Sequence, residues 1–267
     1  MSANSSNHWN AFYQRWKGLP PPLRPHADVV RAIREHLPAG GDPILLLGVT
    51  PELAAIAPNL LAVDRSEMMI AKIWPGDAAG RRVRRDDWLT MELPPHSFAA
   101  AMGDGSLNAV TYPDGQEQVY RQLLRFVKPG GRLLFRVYLT PRPGETIDQV
   151  AASAWNKAQG TFHAFKWRLM MALVARSGVA NVAVAEVREL FISLFPDRLK
   201  LAAASGWSEA DIASIDVYKD STEVYSFPTE RQFLSLVPKT IHDVKLMPAG
   251  TYELAGRCPI AVMSLPE

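Results

Sequence analysis

Strand-like and helical segments alternate from residue 44 to residue 138 of this 267-residue chain. Predicted strands occupy residues 44–47, 61–63, 82–85, 98–102 and 132–138. Strands that alternate with helices favour a parallel sheet, because the connecting helices must cover its faces. Two further strand-like segments, residues 243–247 and 259–264, follow a long helical region. The sequence therefore predicts an α/β fold: a doubly wound, mostly parallel seven-stranded sheet with helices on both faces and a helical insertion after the fifth strand.

The same pattern divides the chain into four segments. They are a helical N-terminal segment, the core of the sheet, the helical insertion and the strands that complete the sheet: residues 1–40, 41–140, 141–218 and 219–267. Trp9, Tyr13 and Trp16 share one face of the first predicted helix, because they repeat at intervals of four and three residues. We predict that the N-terminal segment is a lid and that the insertion is a cap over the substrate.

Charge and composition argue against several classes of protein. The formal net charge is only +2, which gives no support to a nucleic-acid partner. No apolar run approaches the ~20 residues of a membrane helix, and the polar N-terminus shows no signal peptide, so we expect a cytoplasmic protein without a membrane partner. The single cysteine, Cys258, suits a reducing compartment, and its flanks predict a buried thiol. His163 and His242 lack the spacing of metal ligands, so we predict no metal site.

Residues 43–64 carry the first functional indication. They form a buried strand, a turn with a single glycine (Gly48), a short helix and a second strand that ends in Asp64. An acid at that place can hold the two hydroxyls of a nucleoside ribose. A dinucleotide site needs backbone N–H groups near a pyrophosphate, whereas Pro51 removes one N–H and Glu52 places a negative charge at the helix start. The turn therefore favours a nucleoside cofactor without phosphate and disfavours an NAD-type oxidoreductase.

Five motifs follow one another at the ends of the predicted elements. They are Leu45-Leu46-Leu47-Gly48, then Val63-Asp64-Arg65-Ser66 with Met69, then Asp87-Trp88, then Gly103 to Ser106, and finally Phe126-Val127-Lys128-Pro129-Gly130-Gly131-Arg132-Leu133. In this order and spacing they resemble the class I S-adenosylmethionine (SAM)-dependent methyltransferases. The chain departs from that family at Leu46, where an acid is usual, and at Thr50 and Glu52, where glycines are usual. The Lys-Pro-Gly-Gly sequence is interpreted as a structural turn.

The resemblance implies SAM as the cofactor. It assigns the cofactor contacts to Gly48, Val49, Thr50, Asp64, Arg65, Met69, Asp87, Trp88, Gly103, Asp104, Gly105 and Ser106, with Trp9, Tyr13 and Trp16 of the lid. Asp64 would hold the ribose hydroxyls, while Asp87 and Trp88 would recognise the adenine. Glu52 or the N-terminal helix would replace the missing contacts to the methionine amine.

Several of these residues have a second interpretation. Asp64 is also suited to capping a turn, and Asp87 to pairing with an arginine of residues 81–85. Asp104 is either a ligand acid beyond the fourth strand or a turn acid that bonds its own backbone. His163, which is followed by Lys166, is either a base in the insertion or a surface histidine on an amphipathic helix. Asp104 and His163 are thus the two candidates for a catalytic role.

The function predicted from the sequence is SAM-dependent methyl transfer to a small-molecule acceptor. A largely apolar acceptor would use part of the apolar stripe of the insertion, which comprises Trp155, Phe162, Phe165, Trp167, Met170 and Met171. Two alternatives stay open at this point: a SAM-binding regulator or partner subunit without transferase activity, and an NAD-type oxidoreductase.

Overall fold

The structure, a computed structural model, describes residues 19–156 and 160–267. The strands are β1 (Ile44–Leu47), β2 (Leu60–Asp64), β3 (Arg81–Arg85), β4 (Phe98–Asp104), β5 (Val127–Arg136), β6 (Asn181–Ala183), β7 (Val224–Ser226), β8 (Asp243–Met247) and β9 (Ile260–Ser264). The helices are α1 (Ala27–His36), α2 (Pro51–Ala54), α3 (Glu67–Ile73), α4 (Asp114–Phe126), α5 (Ile147–Ser153), α6 (Phe162–Ser177), α7 (Val184–Leu194), α8 (Arg198–Ser205), α9 (Glu209–Ala213) and α10 (Glu230–Leu236). The lid helix predicted around Trp9, Tyr13 and Trp16 lies outside the described residues.

Seven strands form the central sheet in the order β3-β2-β1-β4-β5-β9-β8. The first five pair in parallel, and β9 is antiparallel to both of its neighbours. The predicted fold class is confirmed, because three of the four connections from β1 to β5 contain a helix and the last two strands complete the sheet. The strand order reverses at β1, which has β2 on one side and β4 on the other, so ligands are expected beyond the carboxyl ends of β1 and β4.

Strand β1 lies at the centre of the sheet, and all four of its side chains are buried. Leu45 and Leu47 pack in one apolar cluster with Val119 of α4. Ile44 and Leu46 point the other way and pack in a second cluster that includes residues of α1 and α2. Successive strand side chains alternate between faces, so a strand covered by helices on both sides must be apolar throughout.

The Lys-Pro-Gly-Gly turn interrupts the pairing of β4 with β5. Phe98 pairs with Val127, and the ladder resumes only at Ala100 and Arg132. A Cβ on Gly131 would lie 2.8 Å from the carbonyl oxygen of Ala99. The turn is therefore a structural bulge whose close backbone approach needs glycine.

The helical insertion has a core of its own. The ring centroids of Phe162, Phe165 and Phe191 lie 5.5–6.4 Å apart. Strand β6 in the insertion pairs with β7, which lies beyond residue 218 and outside the central sheet. The insertion therefore extends as a packed unit to about Ser226. Cys258 is buried, as predicted. None of the described helices is long and apolar enough to cross a bilayer.

Candidate functional site

A cavity of about 160 Å³ opens between the carboxyl ends of the parallel strands and the helical insertion. It lies where open α/β sheets bind their ligands. Its walls are formed by the chain around β1, β2 and β4 on one side and by the insertion on the other: Leu19, Leu23, Leu47, Gly48, Val49, Thr50, Asp64, Met69, Trp88, Asp104, Gly105, Ser106, Asn108, Ala109, Tyr138, His163, Lys166, Trp167, Ser214, Val217, Tyr218, Tyr225 and Phe227.

Most residues predicted to bind the cofactor line this one cavity. They are Gly48, Val49, Thr50, Asp64, Met69, Trp88, Asp104, Gly105 and Ser106. Arg65, Asp87 and Gly103 are not in its lining, and Trp9, Tyr13 and Trp16 lie outside the described residues. Both catalytic candidates, Asp104 and His163, also face it. Motifs that are separated in the sequence thus converge, because parallel strands end at the same edge of the sheet.

Asp64 ends β2 and faces the cavity. One of its carboxylate oxygens accepts a hydrogen bond of 2.8 Å from the backbone N–H of Ser66, so the turn-capping role is realised as well. Burial raises the pKa of Asp64 to about 6, although the Ser66 N–H and the nearby Arg65 act in the opposite direction. A half-buried acid with a raised pKa beside a cavity is typical of a ligand-binding position.

Gly48 makes the turn between β1 and α2 with a φ of +105°, a conformation that side chains other than glycine rarely adopt. A Cβ added there would meet no atom of the described residues within 4 Å, so among them the turn leaves open space at the cavity wall. Thr50 precedes α2, where a threonine is expected to cap the helix, but its side chain makes no capping hydrogen bond. Glu52 instead pairs with Arg24, whose Nε donates to it at 2.8 Å.

The Ser106 side chain occupies the space beside Gly103. The Ser106 hydroxyl is buried at the cavity wall and has no hydrogen-bond partner among the described residues. A Cβ on Gly103 would lie 2.1 Å from that hydroxyl oxygen. Gly103 therefore makes room for Ser106, and the Ser106 hydroxyl is a polar atom that a bound molecule would satisfy.

Trp88 contributes an aromatic wall. Its indole Nε1 donates to the Val63 carbonyl at 2.6 Å, which fixes the ring beside the end of β2. Asp87 next to it accepts a 2.9 Å hydrogen bond from the Leu89 backbone N–H. Among the predicted arginine partners, Arg84 pairs with Asp86 rather than with Asp87, at 2.6 Å.

Asp104 has a role that neither sequence interpretation included. The fully buried guanidinium of Arg136 donates to both of its carboxylate oxygens. Burial raises the pKa of the Asp104 carboxyl, and Arg136 opposes this shift. Arg136 also donates to the Pro22 carbonyl at 2.7 Å and to the Tyr138 hydroxyl at 3.0 Å. Asp104 is thus a clamped acid in the cavity wall and is poorly suited to act as a base.

Sequence reasoning missed Arg136, although a signal was present. It is a charged residue inside the apolar run 132–138, and such a residue needs a partner of opposite charge if the strand is buried. Asp104 and Arg136 are register partners in the parallel ladder of β4 and β5.

The insertion supplies the opposite wall. His163 of α6 is buried, so the alternative of a surface histidine is wrong. Its Nε2 lies 3.9 Å from Oδ1 of Asp211. Lys166, one turn further along α6, is 5% exposed, and its Nζ donates to the Ser214 hydroxyl at 3.2 Å. Within residues 19–156 and 160–267, no group of three His, Cys, Asp or Glu side chains is placed to hold a metal ion.

Five further lining residues in or directly after the insertion were not predicted from the sequence. They are Ser214, Val217, Tyr218, Tyr225 and Phe227. Of the apolar stripe expected to meet the acceptor, Trp167 lines the cavity, while Phe162 and Phe165 lie in the core of the insertion. Burial raises the pKa of both Tyr218 and Tyr225 well above its usual range, so both phenols are protonated donors at neutral pH.

Of three comparisons with known proteins, only that with solved structures finds matches. No family model and no curated protein matches the chain. Among solved structures, a Rhodobacter sphaeroides protein proposed to be a Zn-dependent alcohol dehydrogenase has 12% sequence identity and a TM-score of 0.61, with both chains fully covered. A chain in the complex of the Haloferax volcanii Trm112 methyltransferase activator with a proposed methyltransferase has 10% identity and a TM-score of 0.56, again with full coverage.

A Listeria monocytogenes protein proposed to be a SAM-dependent methyltransferase has 11% identity and a TM-score of 0.50, over 90% of this chain and 99% of its own. Identities this low show a shared fold and nothing finer. The sheet order, the antiparallel β9 and the likeness to the Haloferax and Listeria structures agree: the chain has the fold of the class I SAM-dependent methyltransferases.

Proposed function

We propose that this protein is a SAM-dependent methyltransferase that acts on a small-molecule acceptor. The observation that carries the proposal is the position of Asp64, a half-buried acid at the end of β2 that shares a cavity with Gly48, Trp88 and Ser106. An acid there is suited to a ribose, and the turn before it is unsuited to a pyrophosphate.

The residues present fit this cofactor. Asp64 accepts the ribose hydroxyls, and Trp88, with Asp87 beside it, meets the adenine. Gly48 leaves open space at the wall for the methionine end, and the Ser106 hydroxyl gains the partner it lacks among the described residues. Bound SAM supplies an electrophilic methyl group on a sulfonium.

The protein's own contribution is alignment and exclusion of water. Methyl transfer needs the acceptor atom in line with the methyl group, so a cavity that holds both reactants between two walls would provide much of the catalysis. The clamp by Arg136 removes Asp104 as a base. His163 is then the residue that takes a proton where the acceptor must lose one.

Two alternatives lead to different measurements. A SAM-binding subunit without activity would bind the cofactor and turn over no acceptor. An NAD-type oxidoreductase, the class suggested for the Rhodobacter neighbour, would bind a nicotinamide dinucleotide. Pro51 begins α2 and removes one of the backbone N–H groups that a pyrophosphate would need at that helix, while the Glu52 carboxylate occupies Arg24.

The test is isothermal titration calorimetry with SAM, with its demethylated product S-adenosylhomocysteine and with NADH. Loss of a charge-assisted hydrogen bond costs roughly 1.5–3 kcal/mol, so Asp64→Ala should weaken SAM binding by about ten- to a hundredfold. Asp86→Ala is the matched control, because Asp86 follows the neighbouring strand but pairs with Arg84. Unchanged SAM affinity in Asp64→Ala, or tight binding of NADH alone, would overturn the proposal.

A further inference from the structure

We propose that the methyl acceptor is a small aromatic carboxylic acid whose carboxylate binds to Lys166 on the cap wall of the cavity. This inference rests on the proposed function and adds the class of substrate to it. Three observations carry it: the placement of Lys166, the distribution of charge between the two walls, and the aromatic rings that line the cavity.

Lys166 is held in place at the cavity. Its Nζ donates to the Ser214 hydroxyl and lies 5.6 Å and 5.1 Å from the ring centroids of Phe162 and Tyr218. Ring faces attract a cation electrostatically, so these contacts keep the ammonium at one point of the wall.

The two walls differ in charge. On the sheet wall, the carboxylate of Asp104 is offset by Arg136 and that of Asp64 remains, whereas the cap wall carries the ammonium of Lys166. The sulfonium and the amine of SAM are positive and are favoured beside Asp64. A negative group on the acceptor is favoured at the opposite wall. The charges therefore favour SAM at the sheet wall and the acceptor at the cap wall.

Three aromatic rings also line the cavity. The ring centroids of Tyr138 and Trp167 are 4.0 Å apart, and those of Trp167 and Phe227 are 6.3 Å apart. Aromatic walls of this kind stack on aromatic rings. An acceptor that combines a ring with a carboxylate matches both features, with its ring against Trp167 and its carboxylate on Lys166.

The experiment uses the full chain saturated with S-adenosylhomocysteine, and benzoate, phenylacetate and indole-3-acetate as probes. Each carboxylate is titrated into the protein in a calorimeter, and its affinity is compared with that of its neutral amide and with that of benzylamine. We expect the carboxylates to bind at least about tenfold more tightly than the amides, and benzylamine not to bind. Failure of all three carboxylates, or equal affinity for the amides, would overturn the inference while leaving SAM binding as a separate result.

Lys166→Met tests the residue itself, with Lys200→Met as the matched control. Lys200 also belongs to the insertion and lies over an aromatic ring, that of Trp155 at 5.9 Å, but it is not in the cavity lining. Lys166→Met should lose the preference for carboxylates and keep the SAM affinity, and Lys200→Met should keep both. If Lys166→Met instead weakens SAM, the ammonium serves the carboxylate of the cofactor and the inference fails. If the wild-type protein binds no SAM, the proposed function itself fails.

Discussion

The guanidinium of Arg136 clamps the carboxylate of Asp104 across the ladder of β4 and β5, with Nη2 2.9 Å from Oδ2. Arg136 is fully buried and also holds the Pro22 carbonyl. The pair therefore joins the cavity wall to the segment that enters the sheet from the N-terminal side, where Leu19 and Leu23 line the same cavity.

Arg136→Met should lower the free energy of unfolding by roughly 3–5 kcal/mol, because it leaves a buried carboxylate without its partner. Urea denaturation measures the effect. Arg125→Met is the control, since Arg125 and Glu92 form an ion pair whose side chains are 53% and 70% exposed and should contribute no more than about 1 kcal/mol. Equal losses in the two variants would show that burial of the Arg136 pair does not determine its energy.

Asp64→Asn should stabilise the ligand-free protein. The pKa of Asp64 is about 6 in the folded state against an ordinary value of 3.8, so the folded protein binds the proton more tightly and stability falls as the pH rises through this window. Asparagine keeps the acceptor for the Ser66 N–H and removes the buried charge. The gain should approach roughly 3 kcal/mol at pH 8 and be about half as large at pH 5.

Thermal and urea unfolding at the two pH values measure this effect. Asp86→Asn should show no comparable gain. A loss of stability in Asp64→Asn at pH 8 would mean that the carboxylate is structurally required. A gain in stability together with weakened SAM binding would show that Asp64 serves ligand binding and does not stabilise the fold.

Asp87→Asn tests the contact to adenine. Asparagine retains an oxygen for the Leu89 N–H, so the turn should survive and the melting temperature of the ligand-free protein should hardly change. We expect weaker binding of SAM and of adenosine, because an amide oxygen is a poorer acceptor than a carboxylate for the adenine amine. Unchanged affinity together with a lower melting temperature would instead identify Asp87 as a turn residue.

Gly48→Ala should cost both stability and cofactor affinity. The positive φ makes alanine strained by roughly 1–3 kcal/mol, and its methyl group would stand at the cavity wall. Gly178→Ala is the matched control, because Gly178 also has a positive φ (+73°) and open space for an added methyl group, but it ends α6 away from the cavity lining. Both variants should unfold more easily, and only Gly48→Ala should weaken SAM. Equal SAM affinity in the two would remove Gly48 from the cofactor contacts.

Deleting residues 1–18 tests the predicted lid. Leu19 lines the cavity, and the Pro22 carbonyl accepts a hydrogen bond from Arg136. The truncated protein keeps both contacts. We expect SAM affinity to fall by about tenfold or more while far-UV circular dichroism shows a folded core. Alanine at Trp9, Tyr13 and Trp16 in the full-length chain should reproduce the loss. Full affinity in both proteins would show that the aromatic stripe is not a lid over the cofactor.

The local sequence determined the sheet and the position of Gly48 and Asp64 at the candidate site. Strand β1 is apolar at every position because helices cover both of its faces, and that requirement is visible in four consecutive residues. Asp64 and Gly48 were identified for the same reason: each stands where a strand ends, and the ends of parallel strands meet at one edge of the sheet.

Only the tertiary structure decided what Asp104, His163 and Lys166 do. The partner of Asp104 is Arg136, 32 positions away, and a strand register rather than a local pattern brings the two together. His163 and Lys166 reach the cavity because the insertion, which lies far beyond β1 in the sequence, folds back over the strand ends. Helical periodicity shows which residues share a face, but the packing of one unit against another determines what that face meets.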